Sequence, residues 1–334
     1  MSTYRALKGY SIKKVTSDPT NPKEGQVWYN STELKIKGRL TIGAAFASGG
    51  NLPAAKNDGA GAGTLTAGLQ FGSSRVPDSP NTGGLSTQVG TNEYDGSSWT
   101  AGGNMNTGRT TFGGTGTQTA ALAFGGRITN NPFTYTANSE EYNGSSWTEG
   151  NNLGATMYYM NRTGVGTQTA GLAAGGILIP GGASAKTQEY DGSSWSEVNA
   201  APTNLSRVAG AGTQTAAIFT GNQTGSPTVY LYDGTNWTVS PATSSTGNSR
   251  TFTGTQTAGL AVAGGSASTA SELWNGTSFS ADAVLSTGRS AHMASTNATQ
   301  AANYVCGGNN PGGKLTATEE YTGVADESRG FDVS

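Results

Sequence analysis

A polar four-residue turn flanked by two aromatic residues recurs along this chain and narrows what the chain can fold into. The copies read YDGSSW (Tyr94 to Trp99), YNGSSW (Tyr142 to Trp147), YDGSSW (Tyr190 to Trp195), YDGTNW (Tyr232 to Trp237) and WNGTSF (Trp274 to Phe279). Asp-Gly and Asn-Gly admit the positive φ of tight turns and are the strongest short-range hairpin signal. The two rings of each copy then sit across a hairpin, where they can pack between neighbouring sheets. A repeat at this spacing points to a stacked or radial array of similar units.

An apolar segment running into glycine precedes each aromatic unit: LTAGLQFG from Leu65, QTAALAFGG from Gln118, QTAGLAAGG from Gln168, QTAAIFTG from Gln214, QTAGLAVAGG from Gln256 and QAANYVCGG from Gln300. Short, glycine-bounded and apolar on both faces, these read as buried strands. Each repeat therefore predicts a four-stranded antiparallel meander. Six apolar segments stand against five complete aromatic pairs, because the last unit stops at EEYTG, with Tyr321 but no following Trp strand. AAFASGGNLPAAK from Ala44 aligns with SSWTAGGNMNTGR from Ser97, which puts Phe46 where Trp99 stands. The missing outer strand then comes from the N-terminal side, and the pairing covers edges that an open array would expose.

The expected fold is all-β: a six-bladed β-propeller over residues 41–323, closed by pairing of N- and C-terminal strands. Its first aromatic column is Tyr94, Tyr142, Tyr190, Tyr232, Trp274 and Tyr321; its second is Phe46, Trp99, Trp147, Trp195, Trp237 and Phe279. Residues 1–40 form an N-terminal extension with a small β-hairpin, and residues 324–334 a C-terminal tail.

Composition limits the chemistry. The 52 glycines signal turns and short strands, and the regularly spaced aromatics argue against disorder. A net charge of -2 provides no broad basic face, so nucleic acid is not an expected partner. No apolar run approaches the length of a membrane span, and the first 30 residues lack a signal-peptide core, so assembly in a cytoplasm is expected. One histidine, His292, and one cysteine, Cys306, leave little from which to build a catalytic triad or a zinc site. Cys306, within YVC, reads as a buried strand residue. No catalytic residue, metal or cofactor is expected.

The order of basic residue, apolar strand, double glycine, Tyr and Trp resembles the kelch repeat. The double glycine stands at Gly125-Gly126, Gly175-Gly176, Gly264-Gly265 and Gly307-Gly308, and is replaced by Gly72-Ser73 and Gly221-Asn222 in two units. The stretch VTSDPTNPKEGQVWYNSTELKIKG (Val15 to Gly38) resembles a short segment found in structural proteins of tailed bacteriophages. Together with the weakly charged repeats, it is similar to kelch-like virion proteins of phages that infect marine bacteria.

A basic residue recurs before each apolar strand, at Lys56, Arg109, Arg162, Arg207, Arg250 and Arg289. The expectation is structural: bonds to backbone or to the recurring Glu93, Glu141, Glu189 and Glu320, in preference to anion binding. Asp95, Asp191 and Asp233 open turns, where Asp is favoured for backbone reasons, so they are not read as sugar-hydrolysing or calcium-binding carboxylates. The longest inter-strand loops run over Ser73 to Thr91, Arg127 to Ser139 and Ile177 to Lys186. Loops on a rigid scaffold commonly carry binding, and Phe133, Tyr135, Ile177, Leu178 and Ile179 are the apolar residues there without a core role. They form the expected contact surface.

The resemblance implies a non-enzymatic virion protein, assembled in the host cytoplasm. Residues 1–40 would hold it to other virion proteins, and the propeller would contact a host-surface glycan or protein, as a tail fibre would, or decorate the particle. The alternative is a propeller-type carbohydrate-binding lectin, which needs exposed aromatics where the repeat places internal ones. A propeller enzyme needs clustered acids or metal ligands that the sequence lacks.

Overall fold

The computed structural model describes residues 12–20, 26–74, 87–130, 132–160, 164–222, 224–243 and 247–331. Two compact units emerge: Met1–Ala44 with Thr322–Ser334, and Ala45–Tyr321.

The larger unit consists of six four-stranded sheets of one pattern. In the first, Ala60–Thr64, Ala67–Ser74, Thr87–Tyr94 and Trp99–Ala101 follow one another as an antiparallel meander. The sheets beginning at Gly113–Gly116, Val165–Thr167, Ala209–Thr213 and Thr251–Gly254 repeat it. The sixth joins Met293–Ala294, Ala302–Cys306 and Thr318–Thr322 to Ala45–Ser48, a strand from before the first repeat. Phe46 stacks on Tyr321 at 5.0 Å, close to the 4.7 Å of Tyr94 on Trp99 and the 5.0 Å of Tyr142 on Trp147. Such tilted pairs contribute about 0.5–1.5 kcal/mol each beyond the area they bury.

First strands of successive sheets lie side by side, and that of the sixth lies beside that of the first. Small residues allow this approach: a Cβ on Gly61 would come within 2.2 Å of the Ala294 carbonyl oxygen. Just before these strands, Asp58, Thr111, Tyr159, Arg207, Ser249 and Ala291 all adopt left-handed backbone conformations, with φ between 52 and 58°. Their amides link one sheet to another: Thr111 N–H donates to Asp58 O (2.9 Å), Tyr159 to Thr111 O (2.7 Å), Arg207 to Tyr159 O (2.9 Å), Ala291 to Ser249 O (3.1 Å) and Asp58 to Ala291 O (3.0 Å). Left-handed geometry costs an L-residue roughly 1–2 kcal/mol, so it persists where hydrogen bonds from both sides determine it.

At the other end of the first strands the glutamine of each QTA segment forms a second link. Gln168 Nε2 donates to the carbonyls of Ala121 (3.0 Å) and Tyr142 (2.7 Å) in the preceding sheet. Gln118, Gln214, Gln256 and Gln300 do the same. Leu65 holds this place in the first sheet and packs instead on a core that includes Tyr94, Trp99 and Tyr304. There the Tyr304 hydroxyl takes over, 3.0 Å from the carbonyl oxygens of both Ala62 and Leu69, with one proton to donate between them.

In the smaller unit, Lys13–Val15 runs parallel to Val27–Asn30, which pairs antiparallel with Lys35–Ile42. Lys35–Ile42 in turn pairs antiparallel with Ala325–Phe331, from Ile36 opposite Phe331 to Ile42 opposite Ala325. The segment expected as a tail is therefore largely an edge strand of the N-terminal sheet. Trp28 is buried here, and its indole N–H donates to Asp18 Oδ1 (2.9 Å). The Lys37 ammonium, 2.7 Å from Asp18 Oδ2, and then the Trp28 and Asn30 donors hold the Asp18 carboxyl down at about 2.

Removing one glutamine link tests the cross-sheet bonding. Gln168→Ala leaves two partly buried carbonyls without their donor and should lower the unfolding free energy by about 1–3 kcal/mol. Urea titration of the variant against wild type measures this, and an unchanged midpoint at an unchanged slope would show the link to be energetically idle.

Candidate functional site

The repeated aromatic columns serve the seams between sheets. Tyr142 Oη donates to Glu93 Oε1 of the preceding sheet (2.6 Å) and Tyr232 to Glu189 (2.8 Å). Tyr190 bonds Glu141 and Tyr94 bonds Glu320 in the same way. Where Trp274 replaces the tyrosine, Leu231 stands where the acceptor glutamate would be; for Tyr321 the acceptor position in the fifth sheet is held by Leu273, and Tyr321 bonds Asp282 instead. Indole N–H groups cross the same seams: Trp99 to Thr318 Oγ1, Trp147 to Thr91 Oγ1 (both 2.9 Å), Trp195 to Ser139 Oγ (3.2 Å) and Trp237 to Asn199 O (3.0 Å).

The basic residues do not form one column, and their acidic partners differ from those expected. Arg109 is fully buried, pairs with Glu140 and donates to the carbonyls of Gly125 (3.1 Å) and Asn138 (2.8 Å); Arg289 repeats this with Glu319, Gly307 and Ala317. Arg250 reaches Glu272 at 2.9 Å. Each acid lies one residue before the tyrosine-bonding position, and strand neighbours point to opposite faces, so Glu93, Glu141, Glu189 and Glu320 face the seam instead. Lys56 bonds Gln70 Oε1 (2.8 Å), Arg207 belongs to the left-handed link residues, and Arg162 lies outside the described residues.

The turn residues act on backbone. Asp95 Oδ1 accepts from the amides of Ser97 (2.8 Å) and Ser98 (2.7 Å), as Asp191 does from Ser193 and Ser194 and Asp233 from Thr235 and Asn236. These donors hold Asp95 and Asp191 down at about 2.

Two of the expected contact residues, Tyr135 and Ile177, share Tyr158 as a neighbour. Residues 75–86 of the first long loop lie outside the described residues. The second loop folds into a hairpin, Arg127–Asn130 with Phe133–Tyr135; in the third, Ile177–Leu178 pairs with Met157–Tyr158. Tyr135 stacks on Tyr158 at 4.6 Å and Tyr158 on Tyr159 at 4.9 Å. The Arg207 guanidinium lies 3.9 Å over the Tyr159 ring, and that of Arg127 lies 4.9 Å over Phe133. Phe133 is 58% exposed and Ile179 38%. Leu178 turns inward, against the cluster of Leu122, Phe124 and Met157, so it supports the surface from below. Arg127, Tyr158, Tyr159 and Arg207 were not among the expected contact residues; the doublet in TMYYMNR, where other repeats carry no tyrosine, is the signal that marks them.

Elsewhere the chemistry is sparse. A cavity of about 480 Å³ at the turns after the first strands is lined by Gly166, Thr167, Thr213, Thr255, Asn297 and Gln300 among others, with no titratable side chain. His292 is buried, its Nε2 2.7 Å from Thr251 Oγ1. Burial pushes the Cys306 thiol up to about 12, so it is not a nucleophile at neutral pH. Among the described residues no three His, Cys, Asp or Glu side chains group as metal ligands, and no helix is long and apolar enough to cross a membrane.

No family model and no curated protein matches the chain. The solved structure of YjhT is similar to it with a TM-score of 0.62 and 14% identity, over 84% of this chain and 99% of YjhT. At that identity the likeness is one of fold, and with the repeated four-stranded sheets it defines an all-β, propeller-like architecture.

Two measurements follow from the seams. Arg109→Met strands Glu140 in the core and should cost about 3–5 kcal/mol, whereas Arg109→Met with Glu140→Leu should recover much of that loss; denaturant titrations of the three proteins compare them. Burial and then the Glu93 carboxylate push the Tyr142 phenol up to about 12 from its ordinary 10.0. A folded-state value above the unfolded one gives stability that is whole below pH 10.0 and lost as pH rises through about 12. The melting temperature should fall across that window, less steeply in Tyr142→Phe.

Proposed function

We propose that the chain is a non-enzymatic structural protein of a tailed-bacteriophage particle, a closed six-bladed kelch-like propeller that contacts the host surface or stabilises the particle. The observation that carries this reading is the division of the chain. The segment Val15 to Gly38, with its phage-structural resemblance, belongs to its own compact unit, which also includes Thr322–Ser334, and the repeats fill the other. One unit attaches to other virion proteins and the other presents a surface. Closure as six blades is supported by the strand Ala45–Ser48 in the sixth sheet and by the amide links that run from Ser249 through Ala291, Asp58, Thr111 and Tyr159 to Arg207.

Particles purified from a lysate of the phage that encodes the chain should contain it in fixed ratio to the capsid protein, read by quantitative mass spectrometry, and should retain it through a density gradient. Its presence only in the soluble fraction would overturn the virion reading.

A further inference from the structure

Buried and half-buried arginines in this protein follow one rule with two exceptions. Arg109, Arg250 and Arg289 each meet a glutamate. Arg127 and Arg207 meet none among the described residues, and the Nε of each is buried without an acceptor. Both guanidinium groups lie on aromatic faces instead. The two are joined by a continuous run of rings, Tyr135, Tyr158 and Tyr159, with Phe133 exposed at one end.

We infer that this surface, from Phe133 and Arg127 across Tyr135, Tyr158 and Tyr159 to Arg207, is a binding site for an anionic saccharide. Sugar rings offer flat C–H faces to aromatic rings, and their acidic substituents suit the planar donors of arginine, which pair with anionic oxygens in fork geometry. The supporting backbone is rigid: Arg127 exchanges amide and carbonyl bonds with Thr110 (both 2.9 Å), and Tyr159 and Arg207 are consecutive members of the left-handed links. Positions held in this way can present aromatic and guanidinium groups with little loss of freedom on binding. The inference rests on the host-contact part of the proposed function but not on the particle itself.

The test is calorimetry of the full purified chain with three probes: a sulfated octasaccharide, a polygalacturonate oligomer of equal length, and neutral dextran. At least one anionic probe should bind, with the preferred probe distinguishing sulfate from carboxylate recognition, and dextran should bind much more weakly. Arg127→Gln with Arg207→Gln should weaken binding about tenfold or more, Tyr158→Ala should weaken it, and Tyr158→Phe should retain it. Matched melting curves show that each variant is folded. Failure of both anionic probes at millimolar concentration, equal binding by the double arginine variant, or equal affinity for dextran or an oligothymidylate would overturn the site. The purified chain is used throughout, so this failure is separable from absence of the chain from particles.

Discussion

Hydrogen bonds between sheets, more than those within them, set the terms for this fold. Each four-stranded meander is a marginal object, with one pair of faces to bury and two edges to manage. The amides of Asp58, Thr111, Tyr159, Arg207 and Ala291 join the start of one sheet to the start of another, in a conformation that non-glycine residues avoid unless held there. That bonding brings first strands close enough that alanine and glycine are the residues that fit, as the space at Gly61 shows. Glutamine side chains, tyrosine hydroxyls and indole N–H groups then fasten successive seams farther out.

The aromatic columns and the origin of the closing strand were legible because they depend on local chemistry. Turn residues of Asp-Gly and Asn-Gly type mark the hairpins, and Phe46 reveals itself by alignment with Trp99. The basic column was less legible. Lys56, Arg109 and Arg289 share a structural place, but Arg207 belongs to the left-handed link and Arg250 lies one residue beyond it. A shift of one or two residues in an irregular approach to a strand changes which face a side chain serves, and spacing alone does not register it. The same alternation explains why Glu140, and not Glu141, is the partner of Arg109.

Tyrosine takes two roles in one chain, and its neighbours decide which. In the seams, each phenol has a carboxylate across the gap, from glutamate or, for Tyr321, from Asp282, and a tryptophan or phenylalanine against its ring. At the long-loop surface, Tyr135, Tyr158 and Tyr159 have one another and an arginine. Phe133, Tyr135, Ile177 and Ile179 stood out in sequence as apolar residues without a core role, and the structure leaves each of them at least partly exposed. Tyr158 and Tyr159 escaped because the repeat leads one to expect core residues before a buried strand.

The sixth sheet has a consequence for how the molecule is made. Ala45–Ser48 leaves the ribosome before any complete repeat, yet its pairing partner Thr318–Thr322 follows all five of them. Five meanders can form in order as local hairpins, while Ala45–Ser48 waits unpaired. That contact joins segments on either side of all five complete repeats, and closing so long a loop is a slow event. Until it occurs, the nascent protein carries two complementary open edges, one on Ala45–Ser48 and one on Thr318–Thr322. At high concentration these edges can meet between molecules as readily as within one, so dilution during synthesis favours pairing within one chain over exchange between chains.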